Sequence, residues 1–315
     1  MTHQAQARIV FMGTPRFAVP SLAAVIDAGY EAALCVTQPD KPVGRGMKVQ
    51  SSAVKLAALE RGIRCLEPAS MRDAAVAAEL RAIAPDFIVV VAYGKILPQT
   101  VLDIPGKGCV NLHASILPFY RGASPVNRAI MNGDRETGVC TMLMDRGMDT
   151  GPVYLCEKTA IEASDDAVTL GERLSTIGAS LLVKTLGLIS IDKIRPAPQD
   201  NASATNAPPL KKTDGLIDWS RGAVEIRNLV AGTVPWPGAY THWRGKVLKV
   251  HGGSAREGAG QGEPGTIAGI AKEGIQVSCG AGVFVVTEVQ PEGKRRMKAV
   301  EFVSGYRVRE GARLG

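Results

Sequence analysis

The feature that most constrains the fold of this chain is an alternation of short apolar runs with helix-length segments, which extends from Arg8 to about Ser190. Strands buried on both faces of a parallel sheet are apolar almost without interruption, as are the runs at residues 9–12, 32–36, 87–92, 109–112 and 139–144. The segments between and after them are rich in helix-forming residues and predict helices at residues 17–28, 52–61, 71–83, 125–131 and 167–188. This order predicts an α/β domain over residues 1–190, built on a Rossmann-like, doubly wound parallel sheet.

A proline-containing stretch separates this pattern from a different one. Residues 191–210 hold four prolines among Ala, Ser, Thr and Asn with no apolar period, which predicts a linker. A short helical segment follows at residues 223–231. Glycine-punctuated strands come next, at residues 246–250, 265–271, 274–279, 283–289 and 297–303. They predict a small OB-like β-barrel domain over residues 211–315.

Charge is distributed unevenly between the two predicted domains. Residues 211–315 carry 16 Lys and Arg against 10 Asp and Glu, whereas residues 1–190 carry 19 against 18. The asymmetry fits a polyanionic partner such as nucleic acid, although an ordinary solvated surface would give the same counts.

Composition excludes several classes of protein. With 45% hydrophobic and 21% charged residues, the chain is neither a disordered, a collagen-like nor a disulfide-scaffold sequence. Its longest clean apolar run, residues 87–92, is far shorter than the ~20 residues that cross a bilayer. The polar start, residues 1–8, lacks a signal-peptide core, so we expect a cytoplasmic protein with no membrane partner. No cysteine pair has C-x-x-C spacing, so we expect reduced core residues at Cys35, Cys65, Cys109, Cys140, Cys156 and Cys279.

Motifs for nucleotides and metals are missing from the sequence. The first strand-to-helix turn, residues 11–15, has one glycine where a dinucleotide fingerprint needs three, and no P-loop occurs. The four histidines do not pair with Cys or Asp at metal-ligand spacings, so we expect no metal.

Polar residues at strand ends are the candidates for chemistry. Asn111 and His113 are two apart on a predicted strand and therefore face the same side, at the carboxyl edge where open α/β sheets bind ligands. Asp149 lies in a glycine-flanked loop after the next predicted strand, where it could face the imidazole. Taken alone, these residues could equally be a satisfied polar pair and a turn-capping aspartate.

Motifs around these residues resemble those of the folate-dependent formyltransferases. They are Asn-Leu-His at 111–113, Ser-Ile-Leu-Pro at 115–118, Arg-Gly-Ala-Ser-Pro at 121–125 and Gly-Met-Asp-Thr-Gly at 147–151. Further stretches, at residues 11–15, 37–40, 44–46, 92–98 and 218–220, resemble the family members that act on methionyl-tRNA. The resemblance runs from about residue 8 to 310. Two positions depart from the usual pattern: Ile116 stands where Leu is common, and Val234, directly before Pro-Trp-Pro at 235–237, stands where Asn is common.

The resemblance implies a formyl transfer from 10-formyltetrahydrofolate to the amino group of initiator methionyl-tRNA, by a chain that we expect to be a monomer. It implies Asn111, His113 and Asp149 as catalytic residues, with Asn111 and His113 donating to an oxyanion and Asp149 as acid and base. It implies folate-pocket walls at Tyr93, Gly94, Ser115, Ile116, Leu117 and Pro118. The basic candidates for tRNA contact are Lys41, Arg45, Lys48, Lys211, Lys212, Lys246, Lys249, Lys294, Arg295 and Arg296, of which Arg45 matches the family's key basic loop residue.

Three alternatives remain open on the sequence. A folate-dependent formyltransferase acting on a small amine, such as a UDP-amino-sugar, shares the three polar residues but does not need a basic second domain. A hydrolase that releases formate from the same folate would use the same residues with water as the nucleophile. A catalytically idle RNA-binding protein would not need the three residues intact.

Overall fold

The chain forms two compact units in a computed structural model that describes residues 7–43, 48–258 and 262–315. The first unit comprises Met1–Pro125, Glu136–Ala160 and Gly171–Pro208, and the second comprises Val126–Arg135, Ile161–Leu170 and Pro209–Gly315. The second unit thus takes two short segments from the middle of the chain.

The first unit contains a seven-stranded sheet in the order β5-β2-β1-β6-β7-β8-β9. Its strands are β1 (Arg8–Gly13), β2 (Glu31–Val36), β5 (Cys65–Leu66), β6 (Phe87–Val91), β7 (Cys109–His113), β8 (Glu136–Leu143) and β9 (Val153–Ala160). A separate hairpin is formed by β3 (Lys41–Val43) and β4 (Lys48–Gln50). The helices are α1 (Val19–Asp27), α2 (Ala53–Glu60), α3 (Ala74–Ile83) and α4 (Gln99–Leu102). Two more, α5 (Pro125–Asn132) and α6 (Ala167–Ser190), begin in one unit and continue in the other.

The direction of the strands differs from the sequence prediction at one side of the sheet. Strands β2, β1, β6 and β7 are parallel, as predicted, and the unpredicted β5 pairs in parallel with β2. Strand β8 is antiparallel to both β7 and β9, and β9 was not predicted. An apolar run records that both faces of a strand are buried, and it carries no information about direction. Residues of β9 are mostly exposed or half-buried, so the strand lacks the apolar run on which the prediction depended.

Local sequence explains how the helices begin and where they pack. The Ser52 hydroxyl accepts the Lys55 N–H at 3.0 Å and caps α2, and the Asp73 carboxylate caps α3 in the same way. Within the first unit, α6 lies on the sheet: Thr185 and Thr141 of β8 share a hydrogen bond of 2.8 Å. One apolar core of the first unit is formed by side chains of β1, β2 and β6 together with buried side chains of α3 and α4.

The stretch after α6 packs on the first unit and is not a free linker. Although residues 191–208 contain little regular structure, Ala197 bridges Val153 with two backbone hydrogen bonds of 2.8 Å. Ala207 is fully buried, its N–H donates to Arg121 O at 2.7 Å, and Ser124 N–H donates to Ala207 O. Prolines prevent regular helix or strand formation in such a stretch, but its carbonyl groups can still accept hydrogen bonds. Residues 191–208 are therefore bound to the first unit by main-chain hydrogen bonds, and their role as the connection between two domains stays a prediction.

The second unit contains a six-stranded antiparallel sheet with its own core. Its elements are α7 (Ala223–Gly232), β10 (Ala239–Trp243), β11 (Lys246–Arg256), β12 (Ile267–Ala271), β13 (Gly274–Ser278), β14 (Val283–Pro291), β15 (Met297–Lys298) and α8 (Ala299–Tyr306). The strand order is β10-β11-β14-β13-β12, with β15 added beside β14. Residues 297–303, predicted as a strand, are mostly the helix α8. Ala299 and Phe302 of this helix are buried three residues apart, which is a helical spacing.

The predicted fold class is confirmed: a Rossmann-like α/β unit with a mostly parallel sheet accompanies a small, OB-like antiparallel β unit. Across the described residues, no helix is both long enough and apolar enough to span a membrane.

The cysteines differ from the prediction at one pair. Cys140 of β8 and Cys156 of β9 stand directly opposite each other, with Cα atoms 4.1 Å apart, and form a disulfide. The expectation of reduced core residues was wrong for these two because it did not foresee β9. The other four cysteines are free, and burial raises the pKa of Cys35 and of Cys109 to about 12.

Candidate active site

The carboxyl end of β7 carries two polar side chains on one face. Strand β7 runs between β6 and β8, so its side chains are held from both sides. Asn111 and His113 are only 8% and 6% exposed, which is unusual for polar residues without an internal role. The Asn111 carboxamide makes no hydrogen bond to any residue in the described parts of the chain. Its amide group can therefore donate to a bound molecule.

The two ring nitrogens of His113 face different partners. Nε2 lies 2.9 Å from the main-chain oxygen of Tyr120, and because a carbonyl oxygen only accepts, Nε2 carries the proton of this hydrogen bond. Nδ1 lies 3.6 Å from Asp149 Oδ2, just beyond direct hydrogen-bond distance. The ring is thus oriented from the Nε2 side and presents Nδ1 to the carboxylate.

Asp149 is held by the turn that follows β7. Its Oδ2 accepts the Gly122 N–H at 2.8 Å. The Asp149 backbone has a φ of 55°, in the left-handed region that residues other than Gly, Asn and Asp seldom adopt. Gly122 has a φ of 125°, and a Cβ there would lie 2.6 Å from Ala207 O, so only glycine fits at this point. The structure brings Asn111, His113 and Asp149 together at one edge of the sheet.

Most residues predicted to line a folate pocket have side chains that contact other residues of the protein. Tyr93 is buried in the core, and its hydroxyl donates to Met71 Sδ at 3.1 Å. Burial raises the pKa of Tyr93 to about 12, so the phenol stays protonated. Gly94 has a φ of 82°, and a Cβ there would lie 2.4 Å from Gln38 Nε2. The Tyr93 carbonyl oxygen accepts from Thr14 Oγ1 and from Gln38 Nε2, each at 3.0 Å, so the main chain of Tyr93, like its ring, is bound within the protein.

The second set of predicted pocket residues forms a tight turn. Ser115 is fully buried and donates to Phe119 O at 2.6 Å. Leu117 packs against Cys140 and Met142, and half-buried Ile116 packs against the same group. Pro118 completes the turn, and its carbonyl oxygen accepts the Thr205 N–H. The Ile116 side chain therefore faces apolar neighbours, where exchange of Ile with Leu conserves volume.

Exposed apolar side chains accompany these polar groups. Ile96 follows the Tyr93–Gly94 turn, Phe119 lies in the turn after β7, and Met148, 62% exposed, precedes Asp149. Exposed apolar side chains together with the carboxamide of Asn111 suit a flat, hydrogen-bonding ring system such as a reduced pterin. Within the described residues, no group of three or more His, Cys, Asp and Glu could hold a metal ion.

The predicted tRNA-contacting residues of the second unit are all exposed. Lys246 and Lys249 lie on β11, and Lys249 is paired with Gln290 of β14. Residues 294–296, which we call the basic turn, follow β14, and Glu292 N–H of the same connection donates to Val247 O. The basic turn and the start of β11 thus meet at one edge of the second unit. Lys211 and Lys212 begin a short 3₁₀ turn that contacts β10.

One member of the basic turn has an acidic partner. Arg296 donates to Glu288 Oε2 at 2.5 Å, and this hydrogen bond lowers the pKa of Glu288.

The other departure from the family pattern, Val234, is half-buried. Thr233, just before it, caps the end of α7: it is fully buried, and its hydroxyl donates to Leu229 O at 2.7 Å.

The basic loop of the first unit is described only in part. Lys41 and Lys48 belong to the hairpin of β3 and β4, but their side chains lie outside the described residues, and so does Arg45 altogether. Asp40, at the foot of the hairpin, binds Lys55 Nζ at 2.8 Å, and Lys55 also binds Glu67 at 2.6 Å. Hydrogen bonds to these two carboxylates raise the pKa of Lys55 to about 12.

Sequence reasoning missed a polar cluster behind Asp149. Arg121, only 9% exposed, donates through Nε and Nη2 to Gln199 Oε1 at 3.1 and 2.8 Å. Gln199 in turn donates to two main-chain oxygens of the Asp149 loop. The sequence placed Arg121 in a family motif, but nothing in the proline-containing stretch marked Gln199.

Comparison with known proteins identifies the family of this chain. The model of the family described as formyl transferase matches residues 7–186, and that of the formyl transferase C-terminal domain matches residues 209–307. A methionyl-tRNA formyltransferase from Geotalea daltonii is 47% identical over 308 residues, covering 98% of this chain and 98% of that protein.

Solved structures share the fold at low sequence identity. An N-formyltransferase from Helicobacter canadensis, in complex with folinic acid and dTDP-3-aminofucose, is 19% identical with a TM-score of 0.67 and covers 91% of this chain and 99% of that one. HypX from Aquifex aeolicus, in complex with tetrahydrofolic acid, is 15% identical with a TM-score of 0.67. This chain spans 48% of the length of HypX and 96% of its own length in that match.

Proposed function

The chain belongs to the formyl transferase family, and on that premise we propose that it transfers a formyl group from 10-formyltetrahydrofolate to the free α-amino group of initiator methionyl-tRNA. The observation that carries the proposal is the meeting of Asn111, His113 and Asp149 at the carboxyl end of β7. The choice of methionyl-tRNA as acceptor is supported by the 47% identical relative, whose similarity extends through both family domains.

The choice of a folate donor is supported by the family and by two proteins of the same fold, which were solved with tetrahydrofolic acid and with folinic acid. We further propose that the protein works in the cytoplasm as a monomer, where charged tRNA and the reduced folate are both present. Light scattering of the purified protein tests the oligomeric state.

The reaction requires a tetrahedral intermediate. The amine nitrogen attacks the formyl carbon, the C–N10 bond of the folate breaks, the amine loses a proton, and N10 gains one. Negative charge develops on the formyl oxygen in between, and hydrogen-bond donors aimed at that oxygen lower the barrier. A group that accepts the amine proton and returns one to N10 supplies the rest.

Asn111 and His113 are suited to the first task. The Asn111 amide has no partner in the described structure and can donate to the oxyanion without breaking an existing bond. His113 is fixed by the Tyr120 carbonyl through Nε2, so Nδ1 is its working nitrogen. When protonated, Nδ1–H is a charged donor, which is the stronger kind.

Asp149 is suited to the second task. Its carboxylate is close enough to Nδ1 to stabilise the imidazolium, and the Gly122 N–H keeps it in place. The proton that leaves the amine has an acceptor here, and the same proton can pass to N10 of the departing folate.

We propose that the catalytic domain corresponds to residues 1–190 and the tRNA-binding domain to residues 211–315. Residues 191–208 stay with the catalytic part through their contacts with the first unit. The turns at Tyr93–Gly94 and at residues 115–118 form walls of the folate pocket. The exposed basic residues of the second unit contact phosphates, and Lys41, Arg45 and Lys48 meet the acceptor end of the tRNA.

A formyl-transfer assay tests the function. The purified protein is incubated with 10-formyltetrahydrofolate labelled on the formyl carbon and with total aminoacylated tRNA. We expect label on methionyl-tRNA. Asn111→Ala should reduce the rate about 100-fold or more, as loss of an oxyanion donor does, with an unchanged melting temperature.

Two results would overturn the proposal. Label that enters a UDP- or dTDP-amino-sugar in preference to tRNA would assign the protein to small-amine substrates. Label recovered only as free formate would assign it to folate hydrolysis. A large fall in melting temperature for Asn111→Ala with normal turnover would make Asn111 a structural residue.

A further inference from the structure

Gln199 lies in the stretch after α6 and reaches the loop that carries Asp149. Its Nε2 donates to Asp149 O at 2.9 Å and to Gly151 O at 2.7 Å. Its Oε1 accepts from Arg121 Nε at 3.1 Å and Nη2 at 2.8 Å. A carboxamide has two N–H donors and one oxygen with two lone pairs, so all of its hydrogen-bonding capacity is used.

Arg121, which binds the Gln199 oxygen, is itself held in place by several hydrogen bonds. Its guanidinium is buried, and Nη2 donates also to Asn201 Oδ1 at 2.8 Å. The Arg121 main chain is tied to Thr205 and Ala207 by hydrogen bonds of 2.8 and 2.7 Å. Because a guanidinium is planar, two N–H groups aimed at one oxygen fix the orientation of the Gln199 side chain.

Both the side chain and the main chain of Asp149 are therefore held by hydrogen bonds from the Arg121–Gly122 segment and its partner Gln199. The residue after Arg121 is Gly122, whose N–H binds the Asp149 carboxylate, while Gln199 binds the Asp149 carbonyl. The left-handed backbone of Asp149 is disfavoured for a residue with a Cβ and persists only where its surroundings hold it. The two carbonyl contacts of Gln199 lie on either side of Thr150 and fix this segment of the main chain.

We propose that Gln199 is a positioning residue that acts through Asp149, setting the loop so that the carboxylate faces His113 Nδ1. The inference rests on the proposed function for its catalytic consequence. This role requires a carboxamide at position 199. Glu would place a negative oxygen against two carbonyl oxygens, and Met would fill the volume without donating or accepting a hydrogen bond. Neither replacement can do what the carboxamide does.

The test compares Gln199→Met and Gln199→Glu with the wild type in steady-state formylation over a range of pH. We expect kcat to fall at least ~10-fold, with KM for methionyl-tRNA and the Kd of a folate analogue within about twofold, because neither ligand loses a direct contact. The pH dependence of kcat should change as well. Gln276→Met in β13 of the second unit makes the same chemical change far from this loop in sequence and should leave kcat unaltered.

A double variant separates positioning from general stability. If Gln199 acts through Asp149, then Asp149→Asn combined with Gln199→Met should be no slower than Asp149→Asn alone. Multiplied losses, an unchanged kcat in Gln199→Met, or a loss confined to KM would each overturn the proposal.

Hydrogen exchange provides a readout that does not require turnover. In Gln199→Met the Gly122 amide should exchange at least ~10-fold faster, because its acceptor, the Asp149 carboxylate, is no longer held in place, and the Gln276→Met variant should not show this. If the wild type fails to formylate methionyl-tRNA, the proposed function is wrong, and the exchange of Gly122 still decides whether Gln199 positions Asp149. An unchanged exchange rate would refute the positioning role.

Discussion

The Asp149→Asn substitution removes a negative charge from the active site while keeping the shape of the side chain. In the structure, Asp149 Oδ2 accepts the Gly122 N–H at 2.8 Å and lies 3.6 Å from His113 Nδ1. The Asn oxygen can still accept the Gly122 N–H, so the loop should keep its conformation. The effect is then confined to the charge beside the imidazole.

The size of the effect follows from the distance. Two unit charges 3.6 Å apart attract each other by about 4 to 5 kcal/mol at an effective dielectric constant of about 20. Asp149 is partly exposed, and water and the amide dipole of Asn replace some of this attraction. With each ~1.4 kcal/mol corresponding to a factor of about ten, we expect kcat to fall by roughly 100- to 1,000-fold.

Single-turnover formylation of methionyl-tRNA as a function of pH measures this loss, and thermal unfolding measures stability in parallel. Asp145→Asn is the matched control, since Asp145 lies in the same loop and its Oδ1 accepts from Gly147 N and Thr150 Oγ1 without facing the imidazole. We expect that control to keep nearly full activity. A rate for Asp149→Asn within about threefold of the wild type, or a pH profile that does not change, would refute the acid and base role of Asp149.

Three further predictions concern the tRNA contacts and the ion pairs. Arg45→Ala should weaken the use of tRNA while calorimetry shows unchanged binding of a folate analogue; equal losses for both would place the loop over the folate pocket. Neutralising the basic turn should reduce the log–log salt slope of tRNA affinity by about two units and not three, because Arg296 is already paired with Glu288. Hydrogen bonds from Lys55 lower the pKa of Asp40. The stability that this pair contributes is therefore present above the ordinary carboxyl pKa and is lost as the pH falls, and Lys55→Met should remove this part of the acid dependence of unfolding.

The part of the site that is local in sequence could be predicted, because strand ends and glycine-flanked loops leave a pattern. The positions of Asn111 and His113 followed from an apolar strand and a period of two, and the structure places His113 beside Asp149. Their catalytic roles remain predictions. The Rossmann-like sheet followed from apolar runs that need no knowledge of distant residues.

Features that depend on two distant segments could not be predicted in this way. Gln199 meets Asp149 across fifty positions, and a single Gln in a proline-containing stretch has no periodic signature. Prediction of the Cys140–Cys156 disulfide would have required prediction of β9, which lacks an apolar run because its residues are exposed or half-buried. The burial of the Tyr93 ring could not be predicted either, because a family motif marks the position without saying that the ring is part of the core.

Each of the two units is built from separate stretches of the sequence, and this limits where the chain can be divided into fragments. One family match ends at residue 186 and the other begins at residue 209, which suggests that the chain could be divided between them. Residues 126–135 and 161–170, however, belong to the second unit. Arg128 binds Asp214 at 2.8 Å, and Asn127 Nδ2 donates to Gly232 O at 2.8 Å. A fragment that stops at residue 208 would still encode Arg128 and Asn127 but not their partners. The C-terminal third of the chain is therefore not a self-contained folding unit, and chimaeras between relatives should exchange residues 126–135 and 161–170 together with it.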